Sequence, residues 1–111
     1  MNIKIPTIHP VTEASWQREV ERYAESRGWD WMHVPRSKVG KRFRTMIVGT
    51  LAVGWPDLFL VRGSRAITIE CKTDRGSVKP DQRRVDAILG QALECYLLRP
   101  KDRERMRSIL W

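Results

Sequence analysis

Cysteine is nearly missing from this 111-residue chain. Cys71 and Cys95 are the two present, too few for a disulfide framework and without the paired spacing of a zinc motif. Both fall in expected strands, so free, buried thiols in a reducing cytoplasm are the expectation. Histidine is equally sparse: His9 and His33 stand alone, neither has a partner at metal-ligand spacing, and His33 is expected to be structural. No apolar run is long enough to span a membrane, and no obvious basic amphipathic anchor is present. The opening Met1-Asn2-Ile3-Lys4-Ile5-Pro6 lacks the continuous apolar core of a secretory leader. Repeats and low-complexity segments are also missing. Acid is in short supply, with 13 Asp and Glu against 21 Lys and Arg and a net charge of +8. Nucleic acid is the simplest partner for such a surface, with an anionic membrane as the competing reading.

The length suits one hydrophobic core. Residues 1–11 read as an N-terminal extension and residues 12–111 as a single domain. The expected order is helix, strand, hairpin, helix, strand, helix. Thr12 can cap a helix to about Arg27, with Gly28 ending it. Its apolar stripe is Trp16, Val20, Tyr23 and Ala24. Trp29 to Val34 reads as the first strand, and a second helix begins at Pro80, where a missing N–H costs nothing. That helix runs to about Gly90, its stripe formed by Val85, Leu89, Ala92 and Leu93. Glu94 to Leu98 reads as a strand, and the tail from Lys101 to Trp111 as a short basic helix. The tryptophans are expected in the core by default, with base stacking as the alternative.

The central feature is a hairpin. Asp57-Leu58-Phe59-Leu60-Val61 and Ala66-Ile67-Thr68-Ile69-Glu70-Cys71-Lys72 both have strand character. Gly63-Ser64 between them offers the glycine-first pair of a type II′ turn. That centre sets Asp57 opposite Glu70, and Lys72 joins them on the same face. Leu58, Leu60, Ile67, Ile69 and Cys71 form the opposite, apolar face. Two carboxylates about 5 Å apart repel by about 3 kcal/mol at an effective dielectric of 20. A divalent cation turns that penalty into a binding site, because Mg²⁺ prefers carboxylate oxygen and retained water. The plain alternative is an exposed hairpin face with a surface ion pair from Lys72.

Pro56-Asp57 followed by Glu70-Cys71-Lys72 resembles the signature of the PD-(D/E)XK nuclease superfamily. The wider pattern adds Thr12-Glu13 opening a helix, Gly28-Trp29 after it, Gly54-Trp55-Pro56-Asp57-Leu58 before the strand, and Lys79-Pro80-Asp81-Gln82 opening the second helix. Together these resemble the VRR-NUC family, particularly its small stand-alone phage and bacterial members, over about residues 12 to 100. The resemblance implies an α/β, restriction-endonuclease-like core, a mixed β-sheet flanked by helices in the order α-β-β-β-α-β-α. It also implies Mg²⁺ or Mn²⁺ held by Asp57, Glu70 and the main-chain carbonyl of Cys71, with Glu13 completing the site directly or through water. No small-molecule cofactor is expected. Two departures stand out. Ser37 to Val53 is longer than expected between the first two strands, and Lys79 occupies a position where a capping Ser or Thr would be more natural.

Two site residues also have ordinary explanations. Glu13 lies on the apolar stripe at its N-terminal end, and a first-turn acid favoured by the helix dipole would also sit there. Gln82 points inward just after the Lys72 strand. The resemblance implies that it orients the catalytic lysine or its water, while a partly buried amide bonded to local backbone is the alternative. Arg83 and Arg84 point the other way, towards phosphate. Arg36, Lys38, Lys41, Arg42 and Arg44 make a basic loop, with Phe43 available to stack on a base; a solvated charged loop is the ordinary reading. Met46 to Val53 is apolar without clean alternation, and reads as a buried extra strand or a surface that pairs with another copy.

The expected activity is metal-dependent hydrolysis of DNA phosphodiesters by an endonuclease, selective for branched or junction DNA, with a homodimer as the working form. Asp57, Glu70, Lys72 and Gln82 form the catalytic set. A catalytically silent nucleic-acid-binding module of the same fold and an exonuclease of the same superfamily are the alternatives. The expected location is the cytoplasm of a bacterium or phage-infected cell.

Overall fold

The computed structural model describes residues 11–35 and 47–111. Helix α1 spans Glu13–Ser26, followed by strand β1 at Asp30–His33, β2 at Leu58–Arg62 and β3 at Arg65–Cys71. Helix α2 covers Pro80–Leu89, strand β4 Glu94–Leu98, a 3-10 turn Pro100–Asp102 and helix α3 Arg103–Leu110. The four strands form one mixed sheet in the order β1-β2-β3-β4. β1 and β3 flank β2 antiparallel, whereas β4 runs parallel to β3. The parallel step requires a crossover, and α2 supplies it. An α/β architecture in the expected element order is therefore present. The N-terminal extension falls outside the described residues but for Val11.

Local chemistry accounts for the boundaries. Thr12 Oγ1 accepts from Ser15 N at 3.0 Å, and Ser15 Oγ accepts from Thr12 N at 3.0 Å, a reciprocal cap that starts α1. Gly28, with φ +80°, takes the left-handed conformation just beyond its end. In the β2–β3 turn Gly63 has φ +59° and Ser64 does not have positive φ, which matches a type II′ turn. The pairing Leu58↔Ile69 through Arg62↔Arg65 is the expected register.

The core lies between one sheet face and helices α1 and α3. Trp16, Val20 and Ala24 meet Leu58, Leu60, Ile67, Ile69 and Cys71, with Met106 and Leu110 closing the far side. Burying each such side chain contributes about 1.5–3 kcal/mol. Both buried indoles are satisfied: Trp16 Nε1 donates to Leu98 O and Trp29 Nε1 to Leu110 O, each at 2.9 Å. Arg62 and Arg65 stack over the Trp29 ring. The other sheet face receives α2 through Val85 and Leu89.

Three expectations need correction. β1 is shorter than Trp29–Val34, because Trp29 turns into the core and Pro35 follows. Ala92 is exposed: α2 stops at Leu89, so Ala92 never joins its stripe. Residues 47–53 are irregular, with turns over 50–53, and form neither a strand nor part of the core. Ile47 is 40% exposed, Val48 84% and Val53 67%. Gly49 at φ +133° and Gly54 at φ +97° break the extended path at both ends of this stretch. No helix among the described residues is long and apolar enough to cross a membrane.

Candidate active site

The hairpin register carries one step past Leu58↔Ile69, so Asp57 faces Glu70 on the sheet face away from the main core. All four residues of the expected catalytic set are buried: Asp57 is 9% exposed, Glu70 1%, Lys72 5% and Gln82 9%. An exposed hairpin face with a surface ion pair is thereby excluded. Asp57 Oδ2 accepts from Cys71 N at 2.7 Å, which pins this carboxylate to β3 backbone between Glu70 and Lys72. Lys72 Nζ lies 4.0 Å from Glu70 Oε1.

Gln82 reaches the same Glu70 oxygen. Its Nε2 donates to Oε1 at 2.7 Å, while its Oε1 accepts from Lys79 N at 2.9 Å. One end of the amide thus bonds local backbone, the ordinary expectation, while the other reaches Glu70 in place of the expected lysine or its water. The bond to Lys79 N also serves the helix start, where the Lys79 side chain makes no cap bond.

Crowding shows in the protonation chemistry. Burial first, then the charge of Asp57 and a hydrogen bond with it, push Glu70 up to about 8, with Lys72 opposing. Burial likewise pushes the Cys71 thiol up, so Cys71 enters the site through its backbone rather than as a thiolate.

The surroundings hold this cluster in place. Arg99 Nη1 donates to Thr73 O and Gly76 O, each at 2.6 Å, and Lys101 N donates to Asp74 Oδ1 at 3.1 Å. The loop that follows Lys72 is thus clamped to the end of β4. On the other side, a Cβ on Gly54 would lie 2.3 Å from Asp81 O and 2.9 Å from Gln82 N. Only glycine lets the approach to Asp57 pass so close to the first turn of α2. A cleft of about 580 Å³ opens over Asp57, Lys72, Lys79 and Gln82, with Trp55 on its wall.

The outer site residues are placed less uniformly. Glu13 is partly buried in the first turn of α1 and lines a second cavity, of about 330 Å³, with Asp57. Among the described residues no three His, Cys, Asp or Glu side chains converge into a cation site by themselves. Asp57 and Glu70 are the pair the fold brings together. Arg83 and Arg84 are exposed, and Arg84 Nη2 donates to Thr50 O. Arg36, Lys38, Lys41, Arg42, Phe43 and Arg44 lie outside the described residues.

Sequence reasoning missed one constellation. Glu21 is 8% exposed and its Oε2 receives both Gln17 Nε2 at 3.0 Å and His33 Nδ1 at 2.9 Å. The available signal was an acid next to Val20 on the buried side of α1.

Compared with protein-family models, curated proteins and solved structures, the chain finds no match.

Proposed function

We propose that this protein is a Mg²⁺- or Mn²⁺-dependent DNA endonuclease of the VRR-NUC type, built on a restriction-endonuclease-like core. The observation that carries this reading is the buried Asp57–Glu70 pair, with Asp57, Lys72 and Gln82 lining one cleft and Glu70 bonded just beneath it by Gln82. Such a pair is costly by itself: Glu70 is pushed to about 8, so one proton or one cation must relieve it. Hard carboxylate oxygens, a nearby main-chain carbonyl and an open cleft fit a hydrated divalent ion, which takes few protein ligands and keeps its waters.

Asp57, Glu70 and the Cys71 carbonyl would hold that ion, with Glu13 assisting from α1 directly or through water. Bound there, it would neutralise charge on the scissile phosphate and acidify a water. Asp57 is fixed by the Cys71 N–H and Glu70 by the Gln82 amide, so both carboxylates are oriented before substrate arrives. Lys72 emerges beside Glu70 on a clamped loop and steadies negative charge on the phosphate oxygens. Its place beside a carboxylate favours that role over proton abstraction. The net charge of +8 supports a polyanionic substrate.

The test is cleavage of labelled DNA (junction, flap, nicked, linear and single-stranded) in Mg²⁺ or Mn²⁺, with and without EDTA. Asp57→Asn, Glu70→Gln and Lys72→Ala should each remove most cleavage and leave DNA binding in place. Metal-independent binding with no cleavage by the wild type would favour a silent binding module. Degradation from free ends alone would favour an exonuclease.

A further inference from the structure

We propose that His33 is the residue that orients the attacking water in this site, held in one tautomer by Glu21 and Gln17. The inference rests on the nuclease reading and goes beyond it, because the Gln82 amide is committed to Glu70 and Lys79 and is thereby drawn away from the water.

His33 ends β1 and pairs with Leu58, the residue next to Asp57. Three groups immobilise its ring. Trp31 stacks on it with ring centroids 5.8 Å apart and planes 18° from parallel. Glu21 Oε2 lies 2.9 Å from Nδ1, and Gln17 Nε2 donates to that same oxygen at 3.0 Å. A carboxylate oxygen can only accept, so Nδ1 carries the proton. In the neutral imidazole Nε2 is then an acceptor with a fixed lone-pair direction. A carboxylate behind an imidazole commonly sets both ring orientation and tautomer.

The position of the ring gives this arrangement a use. His33 lines the cavity of about 330 Å³ that Glu13, Gln17 and Asp57 also line, and its side chain remains 39% exposed. Glu21, by contrast, is buried, with its side chain 11% exposed. An ion pair made only for stability has no need to present an imidazole to the cavity beside Asp57. A water accepted at Nε2 would have its proton directed at His33 and its oxygen lone pair free for phosphorus. Glu21 acts through the ring and is a positioning residue.

The experiment measures single-turnover cleavage, DNA affinity in EDTA and thermal unfolding on the full chain, using labelled junction and linear duplex DNA. His33→Ala should lower the cleavage rate about 100-fold, leave DNA affinity and melting temperature in place, and regain activity when free imidazole is added. Glu21→Gln, whose amide oxygen still accepts from Nδ1, should keep most of the rate. Glu21→Leu should lose it. A His33→Ala protein that cuts at the wild-type rate overturns the role. So does a rate loss that imidazole does not restore, or one that tracks a fall in melting temperature. Wild-type protein that binds DNA without cutting it overturns the nuclease reading itself, a different outcome from an active enzyme indifferent to His33.

Discussion

Gln82 Nε2 stands 2.7 Å from Glu70 Oε1, so the first turn of α2 is hydrogen-bonded to the end of β3 across the sheet face. Gln82→Ala should leave that buried carboxyl short of a donor at a cost of about 1–3 kcal/mol. It should also weaken divalent-cation affinity. Isothermal titration with Mn²⁺ and urea unfolding measure the two effects. Gln82→Glu should be worse for the cation-free protein than Gln82→Ala, since it adds a third carboxyl to a crowded pair.

Stability without divalent cation should fall as pH rises. Glu70 is raised from an ordinary value of 4.5 to about 8, so between those values the folded protein retains a proton that the unfolded chain has released. The unfolded state then binds fewer protons, and unfolding free energy declines by up to about 1.4 kcal/mol per pH unit. Glu70→Gln should flatten the curve across that window. Adding Mg²⁺ should flatten it in the wild type, and EDTA should restore the slope. Chemical denaturation at pH 5, 6, 7 and 8 (about one unit apart, to resolve a window of this width) checks the sign.

Two glycines with positive φ should respond differently to alanine. Gly28, at φ +80° with nothing within 4 Å of an added Cβ, should lose about 1–2 kcal/mol for the backbone alone. Gly54→Ala adds a collision with the Asp81 carbonyl to its strained φ of +97°, and overpacking of that kind costs a further amount of about 1–3 kcal/mol. Cleavage should fall with Gly54→Ala and not with Gly28→Ala, because only the first moves the backbone leading to Asp57.

Neutralising Lys38, Lys41 and Arg42 together should weaken DNA binding and flatten its salt dependence, the log–log slope falling by about 0.9 per lost phosphate contact on duplex DNA. Metal affinity measured without DNA should stay the same. An unchanged slope would make this basic segment a solvated surface.

Ile47→Lys should fold normally, since Ile47 is 40% exposed and lies in a turn region. If the working form is a homodimer joined through Ile47, Val48 and Val53, light scattering should show a dimer in the wild type and a monomer in the variant. A monomeric wild type removes the dimer, and a dimer untouched by lysine moves the interface elsewhere.

The hairpin was readable from sequence because every constraint on it was local. Strand patterning, the Gly63-Ser64 turn and the alternation of faces set the register, and the register set Asp57 opposite Glu70. Caps were equally local, as Thr12 and Gly28 show. Residues 47–53 misled because hydrophobicity without period does not say which neighbours exist; two glycines bend the segment away from any strand partner. The Glu21–His33 bond was only half readable: an acid on the buried side of α1 signals a missing partner, but the partner lies on β1, 12 residues away, and nothing local points to it. Gln82 could be placed facing inward from the helical wheel, but not its division between Lys79 and Glu70.

The indole of Trp16 donates to Leu98 O across 82 positions of the chain, and that of Trp29 donates to Leu110 O across 81. Closures of this span are slow to find, since the loop entropy is lost before any contact repays it. While the chain is being synthesised, α1 can meet the apolar face of the β2–β3 hairpin, but the Trp16 and Trp29 indoles have no acceptors until Leu98 and Leu110 have emerged from the ribosome. Incomplete translation products should therefore carry two indoles with buried, unanswered N–H groups and a loosely closed core.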